Sequence, residues 1–315
     1  MKNTARELEA GDASRAGRLA CFCPPGVAME GARPAGLSGG LLQLAGGLMM
    51  AWALSAGAFW PFCLGAFWLG VAQGFTLFYR HEAAIGLGAK EKSLAIALVF
   101  GAGALAGLVG PALLLALDHL LPAGRNIGVA LAAALAQVLV LTVAVSSASG
   151  ASARGAHEAQ GMNMQDFVVP TVIAAAAWFA MTAQMLAMPG AMVGCGVTIS
   201  TMFGVMAFHV MAMYAPAFVV GPLVRRVGFP VVAAAGLGLM VAAKFLTPGA
   251  ASVGDFTLVL GLLAVGWSLA TTSATLWLHH RGSPARFWLA GHDALLFSAA
   301  LAGAALSSRP MVGLI

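Results

Sequence analysis

Few side chains in this sequence are equipped for chemistry, and most of them stand inside or at the edge of apolar stretches. His292-Asp293 places an acid beside an imidazole roughly two turns into such a stretch. A pair of that kind can bind a proton or orient a partner, and it can equally cap or anchor a helix end. His209 sits in the apolar middle of another stretch, where a proton-coupling role competes with that of a neutral, hydrogen-bonded packing histidine. Arg80-His81-Glu82 and His279-His280-Arg281 close two further apolar runs, as interface anchors or gate ion pairs would. Gln73, Gln184, Trp178, Thr271 and Thr272 are uncharged groups that can hydrogen-bond or stack. No apolar span pairs two carboxylates, and no nucleophile has a positioned base. Cys21-Phe22-Cys23 has no His or Cys cluster near it to complete a metal site. Cys63 and Cys195 read as small buried hydrophobes. No catalytic residue, metal or cofactor is therefore assigned, and the chemistry left is binding, ion pairing and proton exchange.

The elements that carry these residues follow from composition. The chain is 60% hydrophobic and 9% charged, with mean hydropathy +0.91. Soluble domains carry about 25% charged residues. An all-α integral membrane protein is expected, since the apolar runs are long enough for helices and too long for barrel strands. Residues 1–36 are polar, are broken by Pro24, Pro25 and Pro34, and contain no apolar signal core. They are expected to be disordered.

Nine apolar runs of bilayer-crossing length are expected, at 37–57, 58–80, 93–117, 127–146, 167–189, 197–222, 229–246, 254–279 and 285–307. The connections are short, apart from 147–166, a Ser/Gly/Ala-rich segment that reads as a cytoplasmic linker between the bundles 37–146 and 167–315. With the N-terminus in the cytoplasm, nearly all Lys and Arg lie on that side. Only Arg125, Lys244 and Arg309 fall outside, and nine spans put the C-terminus there too. The net charge of +5 thus reports topology rather than a nucleic-acid partner. The partners expected are the lipid bilayer and a small solute of unknown identity, and nothing indicates an oligomeric state.

The chain also repeats. Shifted by 196 positions, Leu64–Gly107 falls on Leu260–Gly303: Gly70 meets Gly266, Thr76 meets Thr272, and Ala104-Leu105-Ala106-Gly107 meets Ala300-Leu301-Ala302-Gly303. Parallel repeats of this kind build one large class of transporters. The offset pairs the spans at 37–57, 58–80 and 93–117 with those at 229–246, 254–279 and 285–307. The simplest expectation is a twelve-span, two-half plan of which this sequence lacks the first two spans and the last.

The stretch His209–Gly228 resembles the eighth span and following loop of bacterial major facilitator superfamily transporters. Gly221, Leu223, Arg226 and Gly228 match the loop pattern, and Arg225 stands where an acidic residue is usual. Gln73-Gly74 resembles the fourth-span motif, with Gly70 at the place of its arginine. Gly107-x-x-Gly110-Pro111 and the run from Gly266-Trp267-Ser268 to Thr272 are similar to parts of the fifth and tenth spans. The resemblance covers about residues 37–307. It implies two helical bundles rocking about a central site, and hence a secondary transporter of a small solute in the bacterial inner membrane. On that reading Gln73, Trp178, Gln184, Thr271 and Thr272 are cavity candidates, with interhelical hydrogen bonding the competing role. His209, His292 and Asp293 are candidates for proton coupling. Arg80, Glu82, Gly221, Arg226 and Gly228 are the gate and loop residues. Alternative readings are a shortened or diverged relative without transport activity and, more remotely, a membrane enzyme.

Overall fold

The computed structural model describes residues 32–82, 84, 88–120, 127–147, 162–282 and 284–307, and among these the chain is helical throughout its long elements. The helices are α1 (Ala32–Ala56), α2 (Phe59–Glu82), α3 (Ala89–Leu120), α4 (Ile127–Ser147), α5 (Met164–Gly194), α6 (Ile199–Tyr214), α7 (Ala217–Val227), α8 (Phe229–Leu246), α9 (Val253–Leu278) and α10 (Arg286–Ser307). Seven segments are long and apolar enough to cross a bilayer, among them Ile199–Val227, which takes in both α6 and α7. α2 and α4 fall outside that set. The outward surface is strongly apolar: Phe245 is 80% and Trp60 79% exposed. Water does not tolerate such a surface over a whole molecule, whereas lipid does.

Local sequence explains the helix ends. Ser252 and Asp255 form a reciprocal capping box at the start of α9. Asn163 accepts from the backbone N–H of Gln165 before α5, and Thr198 does the same for Thr201 before α6. The run expected as one span at 197–222 is broken. α6 stops at Tyr214 and α7 begins at Ala217, with Pro216 at the junction. Proline has no N–H to continue the ladder, and the helix breaks there although Ala215 and Pro216 both keep helical dihedrals. Gly228 turns the chain from α7 into α8 at φ +87°, a backbone conformation open to glycine and strained for other residues. Phe167 to Met188, by contrast, run through one helix despite Pro170, and that helix continues past Pro189 to Gly194.

Two hairpins are held by glycine crossings. A Cβ on Gly46 would lie 2.9 Å from the Gly65 carbonyl oxygen, joining α1 to α2. A Cβ on Gly266 would lie 2.5 Å from the Gly236 oxygen, joining α8 to α9. Backbones approach this closely only where neither side has a side chain, the usual device for tight packing in a membrane. Helices of 37–146 meet those of 167–315 where α3 lies against α6, α7 and α9, and where α2 lies against α10. Gly221 on α7 sits directly over Ser93 on α3, which leaves no room for a side chain.

Candidate functional site

Most of the buried polar side-chain atoms without a hydrogen-bond partner among the described residues fall in two groups, and these define the candidate site. Buried polar groups are nearly always paired, so such a concentration calls for an explanation.

The first place is the end of the molecule where α2 and α9 finish and α10 begins. Arg80, at the end of α2, donates from Nη2 to Oδ1 of Asp293 on α10 at 2.5 Å. The guanidinium is 1% exposed and the carboxylate 9%. His81 Nε2 lies 3.2 Å from the same oxygen, and His81 Nδ1 lies 2.9 Å from His279 Nε2 at the end of α9. Arg80 Nε also donates toward His81 Nε2 at 3.3 Å, so that nitrogen either accepts from Arg80 or donates to Asp293, and His81 and His279 share one proton between Nδ1 and Nε2. His292 stands edge-on to His81, with ring centroids 5.7 Å apart, and its Nδ1 is 2.9 Å from Thr171 Oγ1 on α5. Lys92 on α3 donates to the carbonyl oxygen of His279 at 2.9 Å, satisfying an end carbonyl of α9. Arg80 Nη1, Asp293 Oδ2, His292 Nε2 and His279 Nδ1 find no partner among the described residues.

The cluster is one buried ion pair with three imidazoles around it. His279 lies just past the α9 span. Burial, then the neighbouring His81, Lys92 and Arg80, bring its pKa down to about 2, against the opposing pull of Asp293. It is therefore uncharged at any physiological pH while buried. A buried pair such as Arg80–Asp293 adds little net stability over apolar packing, but losing one partner strands the other charge. It ties α2 to α10.

The second place lies midway along the helices. Trp267 on α9 is the hub of an aromatic group. Its ring centroid is 5.6 Å from Trp178 on α5, 5.9 Å from Tyr214 on α6 and 6.3 Å from Phe100 on α3. Trp178 also meets Phe297 on α10 at 5.8 Å. All four contacts are edge-to-face, the favoured arrangement for rings of this kind. On the same two helices, α5 and α9, the indole nitrogens of Trp178 and Trp267, Gln184 Oε1 and the hydroxyls of Ser268, Thr271 and Thr272 have no partner among the described residues. Trp267 is 12 positions before His279, about 18 Å along the helix at 1.5 Å per residue. Tyr214 stands at the α6–α7 break.

The structure thus brings Trp178, Gln184, Thr271 and Thr272 onto the packed pair α5–α9. Gln73 is exposed and stands apart from them, although its neighbour Gly74 faces Phe297. His292 and Asp293 join Arg80, while His209 is elsewhere: its Nδ1 lies 2.8 Å from the Leu260 carbonyl oxygen, and it packs α6 onto α9. Arg226 is exposed at the end of α7, and the Glu82 side chain lies outside the described residues. Sequence reasoning did not pair Arg80 with Asp293, 213 positions apart, nor assign Trp267, Tyr214, Phe100 and Phe297. The signal for the first was an arginine and an aspartate at the ends of otherwise apolar runs.

A helical chain with seven bilayer-length apolar segments and an apolar exterior is a multi-pass, all-α integral membrane protein. Over 263 residues it is 28% identical to the riboflavin transporter RfnT of Brucella anthropi, a match covering 81% of this chain and 66% of that protein. The chain therefore spans just under two thirds of the length of this relative. No family model matches the chain. No solved structure matches it.

Proposed function

We propose that this chain is a secondary transporter of the major facilitator type, carrying a small solute across the bacterial inner membrane by alternating access. The observation that carries the reading is the pairing of two features. A group of aromatic and unpaired polar side chains lies midway along α5 and α9, and a buried ion pair joins α2 to α10 at one end. Alternating access needs a site near the midplane and a seam that opens and closes beside it. The break at Pro216, next to Tyr214, supplies the discontinuous helix often found at such sites. The bundles are 37–146 and 167–315, joined by 147–166. The tie lies on the cytoplasmic face, because that end carries Arg80, Lys92 and Arg281.

Riboflavin is the first solute to try, because the relative carries that name. Proton coupling would run through the cluster of His81, His279, His292 and Asp293, with His209 acting in packing. When the seam opens, imidazoles held neutral by burial meet water and recover their ordinary affinity for protons. The experiment is uptake of riboflavin into proteoliposomes containing the purified 315-residue chain, with and without an imposed pH gradient. Saturable uptake above protein-free vesicles supports the reading. Uptake indifferent to the gradient removes proton coupling and leaves transport standing.

A further inference from the structure

We propose that Lys92 is a second latch between the halves, a positioning residue that holds the carboxyl end of α9 against the first bundle and keeps the tied end closed. The proposal deepens the transport reading and rests on it for what that closure does.

The first ground is where the ammonium sits. Lys92 stands at the start of α3, and its Nζ donates to the carbonyl oxygens of His279 at 2.9 Å and Gly282 at 3.4 Å. α3 belongs to 37–146, whereas both acceptors lie in 167–315, at the cap of α9 and in the turn after it. The last carbonyls of a helix have no partner within it and carry partial negative charge. A cation placed there is held by hydrogen bonds and by the helix dipole together.

The second ground is that α9 does not cap itself. Arg281, just beyond the cap, is the nearest cation in sequence, and it is turned to Asp166 on α5 at 3.0 Å. His280 keeps to its own turn, with Nδ1 2.6 Å from the Trp277 carbonyl oxygen. The end of α9 is left to a lysine 187 positions away in the other half.

The third ground is how charge is divided. The offset of 196 that relates the halves carries Arg80 onto Leu276, Lys92 onto Trp288 and Asp293 back onto Ala97. None of these three charges has a counterpart in the repeat. The cations that cross the contact, Arg80 and Lys92, come from one half, and their acceptors, Asp293 and the α9 carbonyls, come from the other. They act on different helices: Arg80 holds α10 and Lys92 holds α9. Between them His81 Nδ1 lies 2.9 Å from His279 Nε2. Because Lys92 holds the backbone of His279, it fixes the residue through which α9 meets α2.

The test reads opening from both halves. In a chain whose Cys21, Cys23, Cys63 and Cys195 are replaced by serine, a single cysteine reports from α9 (Thr271→Cys) or from α3 (Ile96→Cys). Both positions are fully buried, and Ile96 packs in one core cluster with residues of the second half. The rate of reaction with a membrane-impermeant thiol reagent is measured from the tied face of oriented vesicles. Lys92→Met keeps the stem and removes the charge. It is expected to speed labelling at both positions by about three- to tenfold, the worth of one partly exposed cation at a helix carboxyl end. Lys92→Arg keeps the cation and is expected to stay within about twofold of the parent. Helix content and elution volume verify the fold, and Lys92→Gln replaces Lys92→Met if the latter does not fold. The proposal is overturned if Lys92→Met labels at the parent rate, or if Lys92→Arg labels as fast as Lys92→Met. It is also overturned if only Thr271→Cys speeds up, which is fraying of α9 rather than opening. Faster labelling at both positions in a chain that moves no solute into proteoliposomes supports the latch and removes the transport reading. Solute flux with labelling indifferent to Lys92→Met does the reverse.

Discussion

Asp293→Asn strikes at the tie between α2 and α10. The change keeps the size of the side chain and removes its charge, leaving the Arg80 guanidinium 1% exposed with no carboxylate beside it. Stranding one member of a buried pair costs about 3–5 kcal/mol. If the pair exists in only one access state, about 3 kcal/mol corresponds to a shift of roughly a hundredfold toward the other state. Arg80→Met should cost a similar amount, because it strands Asp293 instead. The double variant Arg80→Met, Asp293→Leu should recover most of the loss, since an apolar pair of similar volume needs no desolvation. The assay is the midpoint of thermal unfolding in detergent micelles for the parent, Arg80→Met, Asp293→Leu and the double variant, read as a double-mutant cycle. Single variants should fall by several degrees and the double variant should lie near the parent. A double variant whose loss equals the sum of the single losses would refute the reasoning, because the two charges would then act independently.

Other consequences follow from the same geometry. Gly266→Ala places a methyl 2.5 Å from the Gly236 oxygen and should destabilise by about 1–3 kcal/mol through overpacking. Gly70→Ala, its counterpart in the repeat, opens onto free space and should be near neutral, and thermal midpoints compare the two. Gly228→Ala forces a side chain into φ +87° and should cost about 1–2 kcal/mol by the same measurement. His279, neutral when folded with a pKa near 2, takes up a proton on unfolding below its ordinary value of about 6.5. Its folded pKa is depressed, so its contribution is fully present above about pH 6.5 and is lost as pH falls below that, at up to about 1.4 kcal/mol per pH unit. His279→Gln should flatten the pH dependence of the unfolding midpoint between pH 6.5 and 5 by about one proton's worth.

How far the molecule can be read from its residues depends on whether a feature is local. α8 runs Phe229–Leu246, the span expected at 229–246, and α9 and α10 fall within a residue of their expected bounds. Unbroken apolar runs and short breakers define such helices without help from elsewhere in the chain. The break at Pro216 was also local, and was passed over because the apolar run continues through it. The site is different. Asp293 finds its partner 213 positions away, and Trp178 finds Trp267 on another helix. Single polar residues in apolar helices flag themselves, but nothing in their own segment says which other segment they will face. Thr271, Thr272, Gln184 and Trp178 were therefore visible as candidates, whereas the assignment of His209 to packing needed the Leu260 carbonyl beside it.

The most direct test of the account is the side from which Thr271 can be reached. With Cys21, Cys23, Cys63 and Cys195 replaced by serine, a Thr271→Cys variant is treated with a membrane-impermeant thiol reagent from either face of oriented vesicles. Thr271 is fully buried, so the account predicts protection from both faces while the Arg80–Asp293 tie is intact, and labelling from the tied face once Asp293→Asn is added. Labelling from the tied face with Asp293 intact, or a pattern that Asp293→Asn leaves unchanged, would contradict it.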